Sequence, residues 1–206
     1  DDPFTIVLLP DTQNYSLSDN AARLFEDQTN WIVQQQFNLN IQFVSHLGDI
    51  TEHGSIEEEW RRVDQALNIL EQGGIRYGVI PGNHDIGGEN YADYDRYFPP
   101  SRYQQYEWYG GYLGDPEDGI PDFGVNQQNK DNYQLFSVGK WDFIFINLQI
   151  DPPQYAIDWA NSLLQTYSKR LAVITTHAFL NAIGTRPESP YINRPGQNSA
   201  EYVWQQ

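Results

Sequence analysis

Asn83, His84 and Asp85 put an amide, an imidazole and a carboxylate on consecutive residues, just after 75–80, a run that reads as a buried strand. Such groups bind cations through oxygen or nitrogen, or pass a proton near neutral pH. Comparable groups follow three other strand-like runs. Asp11 and Gln13 follow 4–10, Asp49, Glu52 and His53 follow 41–48, and His177 closes 171–177. An Asp after a strand is ordinarily a helix cap or a turn former. Four strand ends that all carry ligand-type or acid–base groups are harder to explain as unrelated caps. The tight turn at Pro81, Gly82 and Asn83 lets main chain approach whatever these groups surround.

Elements must bring those ends together. Six runs read as strands, 4–10, 41–48, 76–82, 133–139, 142–149 and 171–177, with 133–149 forming a hairpin across Gly139, Lys140 and Trp141. Helical periodicity covers 20–37, with Leu24, Phe25, Ile32 and Phe37, and 56–71, with Ile56, Trp60, Val63, Leu67 and Leu70. Ser55 with Glu58 predicts a capping box, and Gly73 with Gly74 a stop. A further amphipathic segment, 154–168, is entered through Pro152 and Pro153. Strands alternating with helices at the front of the chain imply parallel strands in an α/β core. In such sheets, sites form outside the carboxyl ends of the strands. Residues 86–132, rich in Tyr, Gly, Pro, Asp and Gln, have no clean period and read as an irregular aromatic insertion over one sheet edge.

In chain order, D-x-Q at 11–13, GD at 48–49, GNHD at 82–85 and the strand-final His177 resemble the motif series of the calcineurin-like metallophosphoesterases. The resemblance covers nearly the whole chain. It implies a single α/β domain over 1–206, built as a two-sheet β-sandwich of mixed sheets flanked by helices. It also implies metal-dependent hydrolysis of phosphate esters at a two-metal centre, with divalent ions drawn from Mn, Fe, Zn or Mg. Asp49 matches the bridging carboxylate, Asp11 and Gln13 the first metal, and Asn83 and His177 the second. A bridging hydroxide would be the nucleophile, since a bound water ionises near neutral pH. His84 would be the general acid that protonates the leaving alkoxide. Glu52 falls where an acid orients that His, with Asp85 a rival, and His53 falls where the family has a phosphate-contacting Arg. His53 and Asn83 are thus the expected substrate contacts.

Two features depart from the pattern. Gln13 stands where the family usually has His. The closing GHxH motif is absent, since the His residues are His46, His53, His84 and His177. The stretch 199–206 reads as the start of an amphipathic helix capped by Ser199 without a stop signal. The resemblance therefore predicts a C-terminally incomplete fold whose natural domain continues past 206, and weak cation retention by the 206 residues alone. His46, inside its strand, reads as a hydrogen-bonded core histidine.

The chain has no Cys, which excludes disulfides and thiolate metal sites, and a net charge of −16, which disfavours nucleic acid and anionic membrane as partners. No apolar run approaches the ~20 residues that span a bilayer. With no initiator Met and no signal-peptide pattern, the chain reads as a processed or excised piece, and its acidity suits an extracellular or periplasmic medium. Two other functions compete. One is a non-catalytic domain that keeps the fold and binds metal or phosphate. The other is an acidic Ca²⁺-dependent binding module, for which the loop 114–124 lacks EF-hand spacing.

Overall fold

The computed structural model describes residues 3–88, 90–192 and 194–206. β1 (Thr5–Leu9), β2 (Ile41–His46) and β3 (Tyr77–Val79) form one sheet in the order β1-β2-β3, all parallel. β4 (Tyr109–Tyr112), β5 (Asn132–Val138), β6 (Trp141–Leu148) and β7 (Leu171–Thr176) form a second, mixed sheet in that order. β5 and β6 are the expected hairpin, and β6 and β7 run parallel. Short α1 (Gln13–Ser16) and long α2 (Asp19–Gln35) connect β1 to β2, and α3 (Glu57–Gln72) connects β2 to β3. α4 (Ala92–Tyr97), α5 (Gln154–Thr166) and α6 (Ala200–Gln205) are the other α-helices among the described residues.

Side-chain alternation turns these elements into layers. Along β2, Val44 packs toward the helices with Phe25, Ile32, Trp60, Val63 and Leu67, whereas Phe43 points at the second sheet. Along β6, Phe143 and Phe145 meet Phe43 and Phe136 between the sheets, whereas Ile144, Ile146 and Leu148 pack with Trp159 and Leu163 of α5. The intersheet layer also holds buried amides. Asn147 Nδ2 donates to Gln134 Oε1 at 2.6 Å and to Asn132 Oδ1 at 3.1 Å. Asn132 Nδ2 donates across the layer to the Val79 carbonyl at 2.9 Å. These bonds join β5 and β6 to the end of β3, close to the Asn83–His84 turn.

Two local expectations change. α3 begins at Glu57, and its N-cap, Ile56, makes no side-chain capping bond, so Ser55 and Glu58 form no capping box. On α2, Phe25 and Ile32 are buried but Leu24 faces solvent, and the helix ends at Gln35, so Phe37 lies in the following turn, exposed. The aromatic segment contributes packing. Tyr94, Phe98 and Tyr103 are buried in the core between the first sheet and its helices, Trp60 meets Tyr94 and Phe98, and β4 supplies one edge strand of the second sheet. α6 has the expected cap, with Tyr202 N–H donating to Ser199 Oγ at 3.1 Å.

Candidate functional site

The carboxyl ends of β1, β2 and β7 meet on one rim. Asp11, Asp49 and His177 each offer a ligand atom, and these atoms lie within 4.8 Å of one another. The backbone is bent to achieve this. Asp11, Asp49 and Ala178 all have positive φ, at 49°, 51° and 52°, a region that non-glycine residues occupy at a cost and that clusters at functional sites. Gly48 has φ +95°, and a Cβ there would lie 2.8 Å from Gly82 N and 3.0 Å from His177 Nδ1. A Cβ on Gly82 would lie 2.2 Å from Asp49 Oδ1. Two loops and one imidazole are therefore packed against each other through glycines: a larger residue at Gly82 would displace Asp49, and one at Gly48 would press on Gly82 and His177.

Asp49 is buried, and each oxygen has one task. Oδ1 accepts from the His84 main-chain N–H at 2.9 Å, while Oδ2 faces His177 Nε2 at 3.3 Å. Burial alone would raise the Asp49 carboxyl, but the bond and charge of His177 and the His84 N–H outweigh it and hold the group below its ordinary range. His177 Nδ1 donates to the Leu47 carbonyl at 2.8 Å. That bond fixes the ring and turns Nε2 into the cluster, the arrangement by which a second partner orients a ligating histidine. Asp11 is more exposed, with Oδ1 4.0 Å from His177 Nδ1. Gln13, at the start of α1, has its amide nitrogen placed to donate to the Asp11 carbonyl at 2.9 Å and the Asp49 carbonyl at 3.2 Å. This leaves the amide oxygen as the atom it can offer elsewhere. Asn83 joins Asp11, Asp49 and His177 in lining a cleft of about 1020 Å³, whose remaining walls include Leu8, Leu148, Ile157, Ile174 and Trp204.

His84 is held by its neighbours on the second loop. Its Nδ1 donates to the Glu52 main-chain carbonyl at 3.0 Å, and Glu52 Oε2 stands 3.5 Å from the same nitrogen. Burial pulls the imidazole down, but the Glu52 carbonyl and the carboxylates of Asp49, Glu52 and Asp85 raise it above its usual value. The carboxylate of Asp85 lies elsewhere. It is fully buried and accepts from the N–H groups of Ile50, Thr51 and Gly82 at 2.8–3.1 Å and from Thr51 Oγ1 at 3.1 Å. It clamps the Asp49 loop to the Gly82 turn, and burial pushes it up to about 6. The ring of His53 turns to α3, with Nδ1 2.8 Å from Glu59 Oε1.

His46 is a core group. Gly48 N–H donates to its Nδ1 at 3.2 Å, so Nε2–H donates to Thr12 Oγ1 at 2.8 Å, and burial lowers its pKa to about 3. Glu59 and Ser16 escape a reading by strand ends. Yet Glu59 accepts from Glu52 N–H, His53 N–H and Ser16 Oγ. The available signal was positional: Glu59 shares its helix stripe with Val63, Ala66 and Leu70, all buried, so an acid there needs donors.

The arrangement supplies a convergent set of oxygen and nitrogen donors beside a pinned imidazole. A model described as calcineurin-like phosphoesterase matches residues 4–196. A protein of Bacillus subtilis (strain 168) named uncharacterized protein YvnB is 30% identical over 187 residues, which cover 90% of this chain and 13% of that protein. The chain thus spans only 13% of the length of that relative. Among solved structures, a dimetal phosphatase from Danio rerio aligns with TM-score 0.48 and 15% identity, over 85% of this chain and 70% of its own. A purple acid phosphatase from yellow lupin (Lupinus luteus) seeds aligns with TM-score 0.45 and 15% identity, over 97% and 35%.

Proposed function

Because the chain belongs to the calcineurin-like phosphoesterase family, we propose that it hydrolyses phosphate esters with divalent cations held at the Asp11–Asp49–His177 rim. The observation that carries this reading is the convergence of those three ligand atoms within 4.8 Å, with His177 turned toward Asp49 by Leu47. Carboxylate, imidazole and amide oxygens form a mixed donor set that suits Mn, Fe, Zn or Mg. Asp49 would contact both of two cations, with Asp11 and Gln13 on one and Asn83 and His177 on the other. Bound there, the cations would supply positive charge to the phosphoryl oxygens and acidify a water.

The remaining groups act through position. With Nδ1 of His84 engaged by Glu52, Nε2 is the nitrogen left to face the ester, and a proton held there can pass to the departing alkoxide. Glu52 orients the ring, and Asp85 holds Asp49 and Gly82 in register. With Nδ1 of His53 occupied by Glu59, its Nε2 is the atom that could meet a substrate anion, as could the Asn83 amide. Phosphate esters of small molecules or proteins fit this reading. The net charge of −16 argues against general nucleic-acid binding, and no described helix is long and apolar enough to cross a membrane.

Hydrolysis of nitrophenyl mono- and diesters by the intact protein should vanish on chelation and return with one of these cations. Calorimetry with that cation should show binding independently of turnover. Hydrolysis that persists in chelator would overturn the proposal. Cation binding without hydrolysis would support the non-catalytic alternative, to which the exposure of Asp11, 59% of its side chain, is the observation that points.

A further inference from the structure

The imidazole of His84 is oriented by a carbonyl, and a carbonyl can orient a ring only if its own peptide is fixed. The peptide in question is that of Glu52, in the loop between β2 and α3. Its fixation comes from the helix that follows. Glu59 lies in the first turn of α3 and is buried, with its carboxylate directed back over the loop. One oxygen, Oε2, accepts three bonds: Glu52 N–H at 2.9 Å, His53 N–H at 2.8 Å and Ser16 Oγ at 2.9 Å. The other, Oε1, takes His53 Nδ1 at 2.8 Å. Glu52 N–H also reaches Ser16 Oγ at 3.2 Å. On the far side, Gly54 N–H donates to the His84 carbonyl at 2.9 Å, and Trp60 Nε1 donates to the Gly54 carbonyl at 2.9 Å. The loop 52–54 is thus gripped by α3 on one side and grips His84 on the other.

We infer that Glu59 is a positioning residue for His84, acting through the Glu52–His53 main chain. The inference rests on the proposed role of His84 as proton donor. A buried carboxylate that satisfies two consecutive main-chain N–H groups is costly to replace, because removing it leaves the His53 N–H without its acceptor and the Glu52 N–H with Ser16 Oγ alone. With Glu59 gone, the Glu52 peptide can rotate, and the bond it offers His84 Nδ1 is no longer fixed in direction. Outer residues that orient a functional group typically account for about 10- to 100-fold in activity.

Three variants separate reach from charge. Glu59→Gln keeps an oxygen where Oε2 accepts its three bonds and puts an NH₂ opposite His53 Nδ1. Glu59→Asp keeps the charge but withdraws it by one methylene. Glu59→Ala removes both. For Glu59→Ala and Glu59→Asp a fall in kcat of about 10- to 100-fold is expected with cation content nearly unchanged, any rise in KM reflecting the loss of Glu59 from His53 Nδ1, and Glu59→Gln should recover most of kcat. The loss should be larger on alkyl phosphates than on nitrophenyl phosphates. A second readout needs no turnover. In ¹⁵N-histidine spectra, the Nδ1–H signal of His84 should shift or disappear in Glu59→Asp and persist in Glu59→Gln. If Glu59→Ala does not fold, this Asp–Gln pair carries the test alone. Equal rates and an unchanged His84 signal in Glu59→Asp would overturn the inference, as would loss of cation in step with rate. If the unmodified protein hydrolyses no phosphate ester, the functional reading fails, while the spectra still decide whether Glu59 orients His84.

Discussion

Asp49→Asn is expected to release the bound cations and bring phosphate-ester turnover below detection, with little change in the fold. The asparagine can still accept the His84 N–H through its amide oxygen, now 2.9 Å from Asp49 Oδ1, so the loop contact survives. What changes is the atom facing His177 Nε2, now 3.3 Å from Asp49 Oδ2: an NH₂ replaces a carboxylate oxygen, and the negative charge disappears. An amide nitrogen does not bind a divalent cation, and the site loses the residue assigned to both cations. Elemental analysis after dialysis, thermal melting and rates on alkyl and nitrophenyl esters together check this. A variant that keeps its cations, or that hydrolyses either ester at the native rate, would remove Asp49 from its assigned place.

His84→Ala is expected to behave differently. The main-chain N–H that binds Asp49 is retained, so cation content should stay nearly constant. The proton donor is lost, which typically costs about 10²- to 10⁴-fold in rate. The deficit should be greatest for simple alkyl phosphates, whose alkoxides need the proton, and should shrink for nitrophenyl esters, whose anions leave unaided. Equal slowing of both esters, or loss of cation, would make His84 a ligand or a ground-state contact instead of a proton donor.

The contrast between these variants shows which levels of the structure could be read from sequence. The β1, β2 and β6 strands were legible because 6–9 and 143–146 are continuously apolar and 41–46 carries Ile41, Phe43 and Val44, and the order of strands and helices implied a parallel front half. Placing Asp11, Asp49 and His177 on one rim needed only the rule that strand ends in α/β sheets face the same way. The roles of individual carboxylates were not legible in the same way. Asp85 adjoins His84 in sequence, yet it serves the N–H groups of Ile50, Thr51 and Gly82, because consecutive residues on a tight turn point to different sides. Glu59 was passed over because the run at 57–59 reads as the acidic first turn of a helix, and only tertiary packing reveals which of its three acids is turned inward. The segment 86–132 lacked a period because its aromatic residues fill gaps around Trp60 and Tyr77 one at a time instead of forming a helix face.

The central claim is that the rim of Asp11, Asp49 and His177 is a cation site. Crystals of the intact protein soaked in Mn²⁺ test it most directly, by anomalous diffraction. A peak is expected within coordination distance, about 2.0–2.2 Å, of Asp49 and His177, with Asp11 also among its ligands. Anomalous density confined to other acidic surface groups, with Asp49 Oδ2 still facing His177 Nε2 across an unchanged 3.3 Å, would contradict it.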